Sequence, residues 1–245
     1  MTNNMVSLSP LDTERFGIVS ARANDVTADS LPEVIHFCHE NDVKFLVARC
    51  SSKDVQAVHA MEANGFLLMD TVVYFQHNPQ KDPIPDYTPL SYTIESLSPT
   101  DIDDLVSVAR ISFSKHNGHY HVDPRLDIAK ATEVYSSWAE NCCRNPKVAD
   151  HVIVAKADGK VAGFKAIRFN SPEETEFILG CVSPEMRKRG VYQNLAIEGL
   201  RWSKAAGVTK MINSTILTNL PIINASIKLN FKLEKSNHTF HKWFD

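Results

Sequence analysis

The last third of the chain alternates between apolar runs and amphipathic stretches. An apolar run from Phe177 to Val182 predicts a strand, and the stretch from Val191 to Ala206 has apolar residues near helical spacing. A second strand is predicted from Lys210 to Leu217, followed by a short helix from Ile222 to Leu229. This alternation indicates an α/β (or α+β) fold.

A basic turn joins the first of these strands to the first helix. It reads Arg187-Lys188-Arg189-Gly190-Val191-Tyr192. The first N–H groups of a helix have no internal partner, and the helix dipole adds positive charge there, so such a turn can hold a phosphate group. Gly190 would let the backbone approach a ligand closely. An ordinary solvated basic turn could have the same sequence. The neighbouring sequence therefore has to decide between a phosphate-binding turn and a solvated one.

Those surroundings resemble the GNAT family of N-acetyltransferases. Arg187-x-x-Gly190-x-Tyr192 matches that family's acetyl-CoA motif, Arg/Gln-x-x-Gly-x-Gly/Ala, at all but the last position. Asn219 follows the next strand, where the family has an asparagine, and Asn230-Phe231 stands where the family usually has Gly-Phe. The resemblance covers Pro89 to Asp245. It implies a mixed, mostly antiparallel sheet flanked by helices.

The N-terminal part contains a similar strand-helix-strand unit. Its predicted elements are a strand from Val43 to Ala48, a helix from Val55 to Asn64 and a strand from Leu67 to Phe75. The interval from Val43 to Phe66 equals that from Val208 to Phe231, which favours a duplicated half-fold. Coincidence between two such units is the alternative. Because this copy lacks the Arg-x-x-Gly turn, we interpret it as a smaller, degenerate GNAT-like half.

A proline-rich segment from His77 to Leu90 separates the two parts. Its four prolines disfavour regular structure and stiffen the chain. We therefore predict a degenerate N-terminal domain over residues 1–78, a linker over residues 79–90 and a catalytic domain over residues 91–245.

Composition narrows the class of function. The 245 residues include 43% hydrophobic and 22% charged residues, as in globular proteins, and the net charge of -3 argues against a general nucleic-acid binder. No apolar stretch approaches the ~20 residues that span a bilayer. The five cysteines lack a CxxC spacing and the N-terminus lacks a signal-peptide pattern, so free thiols and a cytoplasmic location are expected.

The resemblance implies acetyl-CoA as co-substrate and assigns residues to it. Backbone N–H groups of the basic turn, Arg187, Lys188, Arg189, Gly190, Val191 and Tyr192, would hold the pyrophosphate. A backbone N–H near Cys181 and Val182, where two strands splay, would stabilise the thioester oxygen. Asn219 would contact the pantetheine arm.

The catalytic acid and base are less clear from the sequence. Many GNAT enzymes have a tyrosine as general acid on the last helix, and this chain has Ser226 there, which is a poor acid. Tyr192 is the other candidate acid, although it could instead only pack against CoA. Glu174, Glu176 and His238 are candidate bases, of which Glu176 is preferred because it lies on a predicted strand. Since CoA thiolate is a tolerable leaving group, Ser226 is not expected to be essential.

The segment from Ser112 to Trp138 is rich in histidine and aromatic side chains. With Tyr135-x-x-Trp138-x-x-Asn141 and Asp150-His151 before a strand, it resembles the TDP-fucosamine acetyltransferase branch, whose members acetylate a nucleotide-linked deoxyamino sugar. Cations and aromatic faces suit such an acceptor. The candidate acceptor-binding residues are His119, Tyr120, His121, Arg125, Trp138 and Arg168. An extended chain would point His119 and His121 the same way, but with no third ligand evident no metal is expected.

We therefore expect an acetyl-CoA-dependent N-acetyltransferase that acts on a nucleotide-linked deoxyamino sugar, with TDP as the expected nucleotide. One alternative is a GNAT enzyme that acetylates another small amine. The other is an inactive acyl-CoA-binding scaffold, which Ser226 and Tyr192 favour and the elaborate acceptor segment disfavours. No nucleic-acid or membrane partner is expected, and a homodimer is left open.

Overall fold

The computed structural model describes residues 5–88, 91–114 and 118–244. Pro89 and Leu90 of the predicted linker, and His116 of the acceptor segment, lie outside the described residues. Contacts between residues divide the chain into two compact units, each built from separate segments. Unit 1 comprises Met1–Val73, Asn117–Ala131 and Lys235–Asp245, and unit 2 comprises Tyr74–His116 and Thr132–Glu234. The division along the sequence at residues 79–90 stays a prediction.

The helices and strands cover most of the described chain. In chain order they are β1 (Val6–Leu8), α1 (Pro10–Phe16), β2 (Ser20–Ala23), α2 (Leu31–Glu40), β3 (Phe45–Ser51), α3 (Val55–Ala63), β4 (Leu67–His77), β5 (Thr93–Ser96), α4 (Ile102–Phe113), α5 (His119–Val122), α6 (Ile128–Arg144), β6 (His151–Ala157), β7 (Lys160–Ser171), β8 (Glu174–Val182), α7 (Val191–Ala205), β9 (Lys210–Ile216), α8 (Leu220–Lys228) and β10 (Lys232–Trp243). None of the described helices is both long and apolar enough to cross a membrane.

Unit 1 is built on a small mixed sheet. β1 and β2 are antiparallel, β2 and β3 are parallel, and β3 pairs antiparallel with the part of β10 from Asn237 to Trp243. Leu46, Met61 and Phe240 are among the fully buried side chains of its apolar core. Helix α3 begins at an N-cap, where Asp54 accepts a hydrogen bond from the Ala57 N–H at 2.9 Å.

Unit 2 contains an antiparallel meander with one parallel neighbour. β5, β6, β7 and β8 pair antiparallel in chain order, and β9 pairs parallel with β8. The β6–β7 turn uses Asp158 and Gly159, whose φ angles of 49° and 76° suit a tight hairpin. β7 is buried without interruption from Val161 to Ile167, as expected of a strand covered on both faces. The mostly antiparallel sheet flanked by helices confirms the predicted fold class.

Most elements predicted from the pattern are present, with small shifts of their ends. The helix predicted from Ile222 begins earlier, at Leu220, because Pro221 is tolerated in the first turn, where no N–H partner is needed. The extended conformation assumed for His119 to His121 is wrong. These residues form the helical turn α5, so the side chains do not alternate between two faces.

Close packing of α7 on the sheet of unit 2 depends on Gly199. A methyl group on Gly199 would lie 2.4 Å from Cε1 of Phe177 and 3.1 Å from Cδ1 of Ile167. Both neighbours belong to the buried core, so neither can move cheaply.

We therefore expect Gly199→Ala to destabilise the protein by about 1–3 kcal/mol, although alanine favours helix formation over glycine by ~1 kcal/mol. Urea unfolding measures the change. Lys204→Ala, at an exposed position of the same helix, is the control and should stay within about 0.5 kcal/mol of wild type. A Gly199→Ala protein as stable as wild type would contradict this packing.

Candidate active site

Strands β8 and β9 separate before they end. Their parallel pairing runs from Glu174 opposite Lys210 to Phe177 opposite Asn213. β8 continues to Val182 and β9 to Ile216, while β8 stays paired with β7 up to Val182. The two strands therefore form a wedge beyond the Phe177–Asn213 pair, called here the β8–β9 wedge.

Cys181 and Val182, predicted to lie near the thioester oxygen, are the last two residues of β8. They stand at the open end of the wedge, with Val182 buried and Cys181 partly exposed. Burial raises the pKa of the Cys181 thiol to about 12, so this cysteine is protonated at neutral pH.

The basic turn follows directly and leads into α7. Arg187, Lys188 and Arg189 are all exposed, and α7 begins at Val191. The Arg187 Nε donates to the Val182 carbonyl at 3.3 Å, which ties the turn to the end of β8. Lys188 has a φ of 63°, a left-handed conformation that redirects the neighbouring N–H groups. Exposed cations and a helix N-terminus thus lie together at the open end of the wedge.

A glycine is needed at position 190 for a structural reason that involves no ligand. Its φ is 76°, and a methyl group added to it would lie 2.3 Å from Oγ1 of Thr88. The Thr88 N–H donates to Oδ1 of Asn194 in α7 at 3.0 Å, so the end of the proline-rich segment is fixed against this helix. Glycine is therefore required at this position whether or not a ligand binds, and no substitution of Gly190 tests ligand binding cleanly.

A chain of polar side chains, all buried except the partly exposed Tyr192, lies beside the wedge in unit 2. We call Lys165, Tyr192, Asn213 and Ser226 the core polar cluster. The Lys165 Nζ donates to the Tyr192 hydroxyl at 3.2 Å, and the Asn213 Nδ2 donates to the same hydroxyl at 3.1 Å. The Asn213 Nδ2 also lies 2.8 Å from the Ser226 hydroxyl. Because Asn213 is the last paired residue of β9, the cluster marks the point where the strands separate.

Burial changes the ionisation of the two titratable members of this cluster. It lowers the pKa of Lys165 from 10.5 to about 7 and raises the pKa of Tyr192 to about 12. The Lys165 Nζ lies 3.9 Å from the centre of the Phe177 ring and 4.3 Å from that of Tyr192. Aromatic faces thus compensate in part for lost water. Near neutral pH the phenol is neutral and the amine is close to half protonated.

Ser226 is not arranged as a proton donor toward the wedge. It is fully buried, and its hydroxyl donates to the Ile222 carbonyl at 2.9 Å within α8. Its oxygen accepts from Asn213, so both polar functions of the side chain are used inside the protein.

The side chains of the candidate bases and of Asn219 also form hydrogen bonds or ion pairs within the protein. The Glu176 carboxylate accepts from Arg168 at 3.3 Å, and Glu174 pairs with Lys210 at 3.3 Å. His238 belongs to unit 1, where its Nδ1 lies 2.9 Å from the Thr71 hydroxyl. Asn219, directly before α8, donates to the Thr215 hydroxyl at 3.0 Å. Their roles in binding or catalysis stay predictions.

Four of the predicted acceptor residues lie in unit 1, and three of them, His119, Tyr120 and Arg125, belong to a polar network there. The His119 Nδ1 lies 2.9 Å from the His241 Nε2, and the other nitrogen of His241 lies 2.7 Å from Asp123. The Tyr120 hydroxyl donates to buried Asp12 at 2.8 Å. Arg125 lies 4.2 Å above the Trp243 ring, and His121 is partly buried. His119 and Tyr120 are only 7% and 3% exposed, so they mainly hold α5 in place.

The other two acceptor candidates lie in unit 2. Trp138, on α6, packs against an apolar cluster that includes Phe164, and Arg168 pairs with Glu176 on the neighbouring strand. Among the described residues, no group of three or more histidine, cysteine or acidic side chains is placed to hold a metal ion.

Lys165 was missed by the motif reasoning. The available signal was a single charged residue inside the apolar run from Val161 to Ile167. Hydrophobic periodicity treats such a residue as an interruption. Only the fold shows that Tyr192, which occupies the position of a small residue in the motif, reaches it.

The buried amine predicts a specific dependence of stability on pH. Unfolding lets Lys165 bind a proton between pH 7 and about 10.5, so its burial costs most below pH 7 and nothing above about 10.5. Lys165→Met should therefore be more stable than wild type by about 2–4 kcal/mol at pH 6.5, with less than half of that gain left at pH ~9.5. Urea unfolding at the two pH values measures the difference. A gain that does not change with pH, or a loss at both, would contradict a neutral buried amine.

Comparisons with known proteins support a family and a fold for this chain. A family model for the acetyltransferase (GNAT) family matches residues 109–231, half of the 245-residue chain. A functionally unknown conserved protein from Staphylococcus epidermidis is similar in structure, with a TM-score of 0.67 at 10% identity, covering 100% of this chain and 93% of that one. A GCN5-related N-acetyltransferase from Sphaerobacter thermophilus has a TM-score of 0.67 at 13% identity, with coverage of 97% and 76%.

A tandem GNAT protein from the clavulanic acid biosynthesis pathway is also similar, with a TM-score of 0.60 at 15% identity and coverage of 91% and 75%. At these identities the likeness concerns the fold, and it supports the layout in two GNAT-like halves. No curated protein matches the chain significantly in sequence. The TDP-fucosamine branch therefore gains no support, whereas the family does: the chain belongs to the GNAT family of acetyltransferases.

Proposed function

We propose that the protein is an acetyl-CoA-dependent N-acetyltransferase with its site at the β8–β9 wedge. The observation that carries this proposal is the wedge beyond Phe177 and Asn213, open next to the exposed cations of the basic turn. A wedge between parallel strands can take an extended thioester arm, and a helix N-terminus with cations suits a pyrophosphate. GNAT enzymes in general use acetyl-CoA and act on small-molecule amines.

In this proposal the backbone of residues 187–192 binds the pyrophosphate, and Asn219 contacts the pantetheine arm. A backbone N–H near Cys181 and Val182 stabilises the charge that develops on the thioester oxygen. Tyr192 gives a proton to the departing thiolate, because its phenol is neutral and lies at the apex of the wedge. Ser226 has no essential role as acid, since its hydroxyl is already bonded within α8. Glu176 stays our candidate base for the acceptor amine.

For the acceptor we propose a nucleotide-linked deoxyamino sugar, with TDP-fucosamine as the first probe. The support is the sequence resemblance of the acceptor segment, together with the exposed position of Arg125. Another small amine is the alternative, and the bonded state of His119 and Tyr120 favours it, because these side chains are not free to contact a sugar. The cytoplasmic location and a homodimer stay predictions.

An inactive acyl-CoA-binding scaffold is the second candidate function. It is favoured by the motif's departure at Tyr192, whose ring occupies space that a small residue would leave open. Release of free CoA thiol separates the two, since a scaffold binds acetyl-CoA without consuming it.

The role of the basic turn in binding acetyl-CoA can be tested by reversing one charge. Arg189 is exposed, so Arg189→Glu should leave the fold intact and weaken acetyl-CoA binding by repelling the pyrophosphate. We expect Kd to rise about tenfold to hundredfold, in line with the strength of charge-assisted contacts. Isothermal titration calorimetry measures the change.

The matched control is Lys147→Glu, an equal change of charge at an exposed loop position of unit 2. It should leave Kd within about twofold of wild type, because salt screens distant surface charges. Equal weakening by both variants would mean that overall charge, and not the turn, governs binding.

The acceptor class can be tested through Arg125. If its guanidinium contacts the nucleotide diphosphate, Arg125→Ala should lower acceptor kcat/KM roughly tenfold to hundredfold and leave the acetyl-CoA KM unchanged. Steady-state thiol release with TDP-fucosamine and with free fucosamine measures the effect. Free fucosamine should be a poor substrate that is indifferent to the substitution. Equal activity of wild type on the two sugars would remove the basis for a nucleotide-linked acceptor and favour another small amine.

A further inference from the structure

We propose that Lys165 is a positioning residue that keeps a proton on Tyr192 for transfer to the departing CoA thiolate. This inference rests on the proposed function and adds to it a second side chain, on a different strand, that the family motif does not contain. It starts from an anomaly: a lysine with 3% of its surface exposed lies in the middle of the central strand β7. Among the described residues no carboxylate forms a salt bridge with it.

The fold makes specific room for this lysine. Lys165 stands opposite Gly180 in the β7–β8 pairing, and its side chain lies across that glycine. A methyl group on Gly180 would lie 2.9 Å from Cγ of Lys165 and 2.8 Å from the Phe164 carbonyl oxygen. The path of the side chain is therefore confined, and it directs the amine to the hydroxyl of Tyr192.

The hydrogen bonds at the Tyr192 phenol leave its own hydrogen available for donation. The Tyr192 oxygen accepts from Lys165 and from Asn213, which uses both of its acceptor positions. The phenol's own hydrogen is then left for a third group. Ser226, which also interacts with the phenol, is the neighbour inside the protein, and the departing thiolate is the partner that we propose. Tyr192 is partly exposed whereas Lys165 is buried, so Tyr192 is the more accessible residue of the pair.

The Tyr192 O–H bond breaks and an S–H bond forms on CoA as the thioester C–S bond breaks. An Nζ–H bond of the Lys165 ammonium then breaks, and the Tyr192 O–H bond forms again. Glu176, the proposed base, takes the proton that the acceptor nitrogen loses on acetylation and releases it to solvent. Lys165 remains as a neutral amine and takes a proton back from solvent.

The surroundings of Lys165 allow this exchange near neutral pH. Tyr192 is the titratable group that faces it from α7, while β8 presents Phe177 and Gly180. Burial places the pKa of Lys165 at about 7, so both protonation states are accessible in the folded protein. The ammonium is the active form, and its fraction falls as pH rises above this value.

A purely structural role of Lys165 would give different effects of substitution on activity. If Lys165 only filled space, a side chain of similar volume would preserve activity, and its removal would have the same effect with or without the Tyr192 hydroxyl. If it acts through that hydroxyl, the effects of the two substitutions are not additive.

The test is a double-mutant cycle on the full chain with Lys165→Met, Tyr192→Phe and the double variant. Thiol release from acetyl-CoA is followed with TDP-fucosamine, or with the best acceptor of a panel of small amines if that sugar is inert. Lys165→Met should lower kcat roughly tenfold to hundredfold, as expected for loss of acid–base assistance, and change the acetyl-CoA KM less than about twofold. In the Tyr192→Phe background it should change kcat less than about twofold.

Two further measurements complete the design. The decline of wild-type kcat above neutral pH should be absent in Lys165→Met. Thr175→Val removes a different buried hydroxyl of unit 2, bonded to Ser203 at 3.0 Å, and should keep kcat within about threefold of wild type.

The outcomes distinguish the two proposals. No thiol release by wild type with any acceptor, despite acetyl-CoA binding, would overturn the acetyltransferase and this inference together. An active wild type with an unchanged kcat in Lys165→Met, or with additive effects of the two substitutions, would overturn the role of Lys165 alone. Urea unfolding of each variant shows that the compared proteins are folded.

Discussion

The end of the parallel pairing between β8 and β9 is the constraint on which the site depends. Pairing stops at Phe177 and Asn213, and from there each strand follows different neighbours. Beyond this point the backbone N–H and C=O groups that face the wedge have no partner on the other strand. They need hydrogen-bond partners from elsewhere. What fills or uses the gap therefore decides what the protein does. Here the surrounding elements bring cations to its open end and polar side chains to its apex.

The polar side chains at the apex are costly to bury, and hydrogen bonds among them offset part of that cost. Lys165 is confined by Gly180, and its amine contacts the Tyr192 hydroxyl and two aromatic faces. Asn213 connects that hydroxyl to Ser226, so the phenol is reached from three elements. In many GNAT enzymes a phenol is carried by the last helix. In this chain that helix carries a serine, and the phenol is carried by α7 and reaches the same cluster.

The sequence predicted the elements around the site well because they depend on local signals. The apolar run of β8, the basic turn and the amphipathic period of α7 are each contained in a short stretch, and the structure differs from them only at the ends. The helical turn of α5 was mispredicted, since His119 and Tyr120 are held there by His241 and Asp12, which are far away in the chain. No local pattern contains those contacts.

The reasons for individual residues were harder to predict than their positions. The motif predicts that Gly190 is a glycine because a ligand approaches it, but its left-handed backbone and the contact with Thr88 already require a glycine. Tyr192 departs from the motif, and its contact with Lys165 exists only in the folded protein. Both cases involve residues distant in sequence, and a motif read along the chain does not include such partners.

A crystal structure of the protein with CoA tests the central claim most directly, because it locates the sulfur relative to the wedge. We expect the pyrophosphate to lie against the backbone of residues 187–192 and the pantetheine arm to pass between β8 and β9. The sulfur should then lie within hydrogen-bond reach of the Tyr192 hydroxyl, at about 3–3.5 Å. CoA bound away from the basic turn, or bound there with its sulfur more than ~6 Å from that hydroxyl, would contradict it.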